Sequence, residues 1–121
     1  MAKLTWFDRN KIDGELKGPP YRKSWALITE KTCGAQNVSV GYNETPVGGE
    51  VPRHKHDKEE EIMYFIEGHG EFRTDNETIQ IHPGIIVYNP PGDFHNIVNT
   101  GDTPIKFIWV YSPQLESQRA K

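Results

Sequence analysis

The feature that most constrains how this chain folds is its rhythm. Short apolar or alternating runs recur along it, and each is closed by Gly, Pro, Asn or Asp before it reaches helix length. Residues 37–42 alternate polar and apolar with period two. Continuous or alternating runs follow at 62–67, 71–73, 78–82, 85–88, 95–99 and 105–111. Two earlier strands are expected, one at Trp6-Phe7 and one at 24–28. Turn signals stand between the runs: Gly18-Pro19-Pro20, Pro46 with Gly48-Gly49, Gly68-His69-Gly70, Asp75-Asn76, Pro83-Gly84, Asn89-Pro90-Pro91-Gly92 and Thr100-Gly101-Asp102. Runs of this kind bounded by turns are the signature of strands. No segment sustains a 3.6-residue period over three turns. About nine short strands at this spacing predict an all-β sandwich or barrel.

Composition narrows the function. At 121 residues the chain is expected to form one domain, 1–121, of a size that builds a core without disulfides. The five Phe, five Tyr and three Trp argue against disorder. Fourteen basic and seventeen acidic residues leave a net charge of -3, so the basic footprint of a nucleic-acid-binding domain is missing. No run approaches the length of a membrane span, and the first residues hold no apolar leader-like run. The lone Cys33 has no intrachain partner and gives no sign of an oxidising compartment. The expected location is the cytoplasm. The polar tail after Pro113 is expected to fray.

Two stretches carry chemistry. In the first, His54 and His56 sit two apart. Alternate residues of a strand face one side, so both imidazoles point into one space. Glu61 opens the next apolar run, and a turn between the segments brings its carboxylate back to them. The second stretch supplies His95 directly after the rigid Pro90-Pro91-Gly92 turn. Three imidazoles and a carboxylate are a first-row transition-metal shell. A closed zinc site uses Cys more often. Four protein donors on a metal that accepts six leave positions for water, substrate or dioxygen.

The spacings resemble the two motifs of the cupin superfamily. Gly48, His54, His56, Glu61 and Gly68 match the first, with four residues between His56 and Glu61. Gly84, Pro90, Gly92, His95 and Asn99 match the second, and fifteen residues separate the two. Ile85 stands where many relatives carry Asp. The resemblance implies a conical jelly-roll barrel, the double-stranded β-helix. It also implies one divalent transition metal (Fe, Mn, Ni or Zn) held by His54, His56, Glu61 and His95. The motif glycines are expected at positive φ. Asn99 is expected either behind the metal site or in a strand-end hydrogen bond.

Parity along the strands sorts the remaining candidates. Met63 and Phe65 share the parity of Glu61 and are expected to line the pocket, with Phe107 and Trp109 from the last strand. Glu60 fits a shorter spacing from His56 but breaks the spacing to Gly68, so Glu61 is preferred; Glu59 and Glu60 then read as a solvated rim. Arg53 and Lys55 have the opposite parity to the histidines and are expected outside. His69 and His82 sit at turns and are expected to be exposed. No general base stands out, and Tyr88, Tyr111 and Glu50 are the weak candidates. The outward face with Ile62, Tyr64 and Ile66 predicts a homodimer.

The expected function is that of a metal-dependent enzyme acting on a small molecule. The metal would serve as Lewis acid for a lyase or isomerase, or as an oxygen-activating site for a dioxygenase. The alternative is a non-catalytic barrel that binds a small sugar or organic acid. Neither nucleic acid nor membrane is an expected partner.

Overall fold

A computed structural model describes residues 3–120. Ten strands form: β1 (Glu15–Lys17), β2 (Arg22–Ile28), β3 (Ser39–Thr45), β4 (Glu50–His54), β5 (Glu60–Glu67), β6 (Gly70–Thr74), β7 (Thr78–Ile81), β8 (Ile86–Asn89), β9 (His95–Val98) and β10 (Ile105–Ser112). One four-residue helix, α1 (Glu30–Cys33), follows β2 and is capped by the Thr29 side chain. The strands make a six-stranded sheet, β1-β2-β3-β10-β5-β8, and a four-stranded sheet, β4-β9-β6-β7, antiparallel throughout. The turn rhythm leaves an all-β sandwich or barrel open, and the barrel that the resemblance implies is what forms.

Period-two patterning decides which face is inside. In β5, Glu61, Met63 and Phe65 are buried while Glu60, Ile62, Tyr64 and Ile66 are exposed. In β10, Ile105, Phe107, Trp109 and Tyr111 are buried. The pairing places Phe107 opposite Phe65, Trp109 opposite Met63 and Tyr111 opposite Glu61. Cross-strand partners share a face, so both alternations agree. Phe72, Ile81 and Ile97 of the facing sheet complete the core. Burial of each such side chain contributes about 1.5–3 kcal/mol.

Gly41 and Gly68 are among the glycines that hold positions no side chain fits. A Cβ on Gly41 would lie 2.0 Å from Trp109 Cζ2 and 2.2 Å from the Trp25 carbonyl, so the Trp109 indole covers β3 where a side chain would stand. Gly68 turns at φ 92° with the Pro104 carbonyl 2.5 Å from where its Cβ would be. Gly48, Gly84 and Gly92 also take positive φ, as the motif spacing predicts.

Three regions differ from the sequence reading. Trp6 and Phe7 lie in no strand and are exposed. The first strand is instead β1, paired to β2. The residues after Phe7 fold over the outer face of the large sheet. There Trp25 Nε1 donates to the Ile12 carbonyl at 2.7 Å, and the Arg9 guanidinium stands 4.2 Å from the Tyr42 ring centre. The tail, expected to fray, is strapped across the end of the barrel. Gln114 is buried; it accepts from the Glu30 amide at 2.8 Å and donates to the Ala35 carbonyl at 2.7 Å. Arg119 donates to the Gln36 carbonyl and the Ala120 amide to Glu30. Its polar side chains pair with part-buried and exposed backbone groups, a role that apolar patterning cannot register.

Candidate metal centre

Three strands and one turn assemble the cluster. His54 ends β4 and pairs directly with His95, the first residue of β9. His56 lies two residues past the end of β4 yet still turns to the same space. The Gly92 amide donates to its carbonyl at 2.7 Å, which ties the Pro90-Pro91-Gly92 turn to the first motif. Glu61 enters from β5. One donor atom from each of His54, His56, Glu61 and His95 lies within 4.8 Å of the other three. Glu61 Oε1 is 3.2 Å from His95 Nε2 and 3.9 Å from His56 Nε2.

The surroundings orient the rings. His54 Nδ1 is 2.7 Å from the Pro52 carbonyl. A carbonyl only accepts, so Nδ1 carries the proton and the Nε2 lone pair is free. His95 Nδ1 is 3.0 Å from the Asn89 amide nitrogen and 3.3 Å from the Asp93 carbonyl. The His95 ring stacks on Phe72, with planes 8° apart. Burial pushes the His54 and His56 imidazoles below the ordinary 6.5, opposed in part by the Pro52 carbonyl and the Glu61 charge respectively. Both are therefore neutral near pH 7, the state in which imidazole binds metal.

The donor set fits a transition metal on an observation of its own. Glu61 Oε1 is buried and has no hydrogen-bond partner among the described residues. A buried carboxylate oxygen without a partner is costly. A cation held between it and the three imidazoles removes that cost.

The cluster opens onto a cavity of about 700 Å³. Met63, Phe107 and Trp109 line it, as parity predicts. Phe65, expected beside them, is fully buried in the core and does not reach the cavity. Of the three general-base candidates, only Tyr111 lies at the cluster, its hydroxyl 3.2 Å from His56 Nε2. Burial and the Glu61 charge push the Tyr111 pKa well above 10, so it is a proton donor there. Tyr88 is on the exposed outer face of β8 and donates to Glu60. Glu50 points away from the cavity and accepts from Asn96. Asn99 clamps the strand end, donating to the Thr45 and Thr103 carbonyls and accepting from the Gly101 amide.

Several residues at the site escaped the sequence reading. Glu59 was expected on the rim and is buried, close enough for its charge to act on His56 and Tyr111. The signal was its parity with Glu61. Asn89 lies one residue beyond the expected end of its strand and sits opposite Glu61. Arg22 and Lys17 line the cavity from strands whose inward faces are polar, and hydrophobic patterning gives such residues no signal.

Comparison with known proteins agrees with this geometry. A family model described as a cupin domain matches residues 41–111. An uncharacterised protein of Methanocaldococcus jannaschii is 41% identical over 63 residues, covering 52% of this chain and 50% of its own. An oxalate-binding protein of Thermotoga maritima is 37% identical over 65 residues, covering 54% of each chain. The chain thus spans about half the length of these curated relatives. A crystal structure described as a predicted oxalate decarboxylase from Thermotoga maritima superposes with a TM-score of 0.80 at 25% identity, covering 91% of this chain and all of that one. With both motifs, the barrel and the family match in agreement, this chain belongs to the cupin family.

Proposed function

We propose that the chain is a metal-dependent enzyme acting on a small organic molecule that binds through oxygen. The observation that carries this reading is the partnerless Glu61 Oε1, buried among three imidazoles at one cavity. His54, His56, Glu61 and His95 would hold one divalent transition metal (Fe, Mn, Ni or Zn). When bound, the metal supplies Lewis-acid polarisation of a carboxylate, carbonyl or hydroxyl, and with iron it would also serve oxygen chemistry.

The chain's own residues do the rest. Met63, Phe107 and Trp109 give the cavity an apolar wall, beside which electrostatic interactions are stronger than in bulk water. The protonated Tyr111 hydroxyl holds a proton beside His56. Together they suit a lyase or isomerase, in which a proton moves at a group next to the metal, and a dioxygenase needs the same open shell. A second reading, a barrel that binds an organic acid without turning it over, is favoured by the oxalate-binding relative.

The test is water-proton relaxation of Mn(II)-loaded protein. The reading expects high relaxivity from exchangeable water on the metal, falling when glycolate or oxalate is added. Relaxivity that no oxygen ligand alters would contradict it. Turnover of hydroxy and oxo acids by the loaded protein then separates enzyme from binder.

We also propose that a second copy of the chain covers the outer face of β5, β8 and β10. Ile62, Tyr64, Ile66, Ile86, Tyr88 and Ile108 are exposed there on adjacent strands, and contiguous apolar patches mark association sites. Sedimentation at micromolar concentration should give a homodimer, and a monomer would contradict it. The cytoplasm is the proposed location, and cell fractionation tests it.

A further inference from the structure

The cavity has a second chemical feature that the metal cluster does not use. Arg22 lies on β2, two residues from Ser24. Ser24 pairs with Asn43, and Asn43 with Phe107. That register places Arg22 on the face of the sheet that looks into the barrel, and it lines the same cavity as the four cluster residues.

Arg22 is half-buried, and its Nη1 donates to the Pro20 carbonyl at 3.1 Å. Among the described residues no carboxylate forms an ion pair with it. The neighbouring charges do not compensate it. Lys17, its cross-strand partner, pairs with Glu15 at 3.5 Å. Asp13 is exposed to solvent, which screens it. A partly desolvated guanidinium without an anion is unfavourable, and its planar fork matches a carboxylate or phosphate.

Size points the same way. A cavity of about 700 Å³ lies in the range of about 300–1,000 Å³ that holds whole organic ligands. A molecule as small as oxalate fills a minor part of it. Met63, Ile97, Phe107 and Trp109 supply apolar wall in the same space.

We infer that the ligand is a two-ended organic acid. One end presents oxygens to the metal cluster, an apolar or aromatic body lies against Phe107 and Trp109, and a second anionic group pairs with Arg22. This rests on the metal-centred reading above and names its substrate class.

The test is calorimetric titration of the Mn(II)-loaded protein with 2-hydroxysuberate and with 2-hydroxyoctanoate, which has the same chain without the distal carboxylate. The wild type should bind the diacid about tenfold tighter, the worth of one charge-assisted pair. Arg22→Met should bring the ratio to one or below, and Arg22→Lys should keep part of it. Thermal melting checks that both variants fold. A wild-type ratio of one or below, a ratio unchanged in Arg22→Met, or binding of neither acid overturns the inference. Removing the metal tests the other reading separately. If 2-hydroxyoctanoate binds as well without metal, the Lewis-acid function fails, while the ratio still decides the assignment of Arg22.

Discussion

The metal cluster and the C-terminal strap meet at one cavity, which Leu115, Ser117 and Gln118 line together with the four cluster residues, yet the two are built by different means. At the metal cluster, four side chains arrive from two short motifs, and strand pairing and one turn bring them together. At the strap, residues 113–120 cross the barrel end through hydrogen bonds to α1 and the loop after it, some eighty residues earlier in the chain: Gln114 to the Glu30 amide is a separation of 84. The cluster is a set of donors waiting for a cation, and one carboxylate oxygen has no other partner. The strap is satisfied within the chain. Metal holding and strap closure thus use different partners, and removing a hydrogen bond of the strap should leave the four donors in place.

The largest expected effect is at the cluster. His95→Ala should weaken Mn(II) or Zn(II) binding by about a hundredfold or more, since altering outer partners of a ligand alone costs about 10–100-fold. Calorimetric titration reads this, and the fold should survive. Glu61→Gln should lose affinity in the same direction while Glu60→Gln keeps it. The reverse order would show that the register of β5 is off by one residue.

Next comes the packing of Trp109, which walls the cavity. Gly41→Ala puts a methyl 2.0 Å from the Trp109 ring and should cost about 1–3 kcal/mol through overpacking, read by urea unfolding. Gln114→Ala acts on the strap alone. It leaves two backbone groups without their partner and should cost about 1–3 kcal/mol, with metal content unchanged. Loss of metal in Gln114→Ala would show that the strap also holds the cluster in place.

The smallest effect is the pH dependence of the metal-free protein. Folding lowers the His54 and His56 pKa values below 6.5, so the unfolded chain binds more protons in that range. Their contribution is fully present above pH 6.5 and is lost as the pH falls from there through the lowered folded values. Thermal midpoints of metal-free wild type should fall over this window, and His54→Gln should flatten the fall.

The comparison also explains what could be read from the sequence. Spacing from Gly48 to Gly68 and from Gly84 to Asn99 sufficed to name His54, His56, Glu61 and His95 as one group, because each motif spans two consecutive strands and the short connection that carries the chain from one sheet to the other. Met63, Phe107 and Trp109, assigned to the pocket by parity, line the cavity. Parity misplaced Phe65, because a strand's inward face continues past the cavity into the core. It missed Arg22 because β2 carries polar residues on its inward side, where patterning expects apolar ones. Glu59 was read by its charge rather than by its parity with Glu61. The strap and the segment over Trp25 were invisible, since they are fixed by hydrogen bonds between single side chains and backbone groups elsewhere in the chain.

The central claim is that the four residues hold a metal. The most direct measurement is elemental mass spectrometry of untagged protein purified without oxygen. The account predicts close to one equivalent of iron, manganese, nickel or zinc per chain. Protein that carries no metal and takes up none on reconstitution would contradict it.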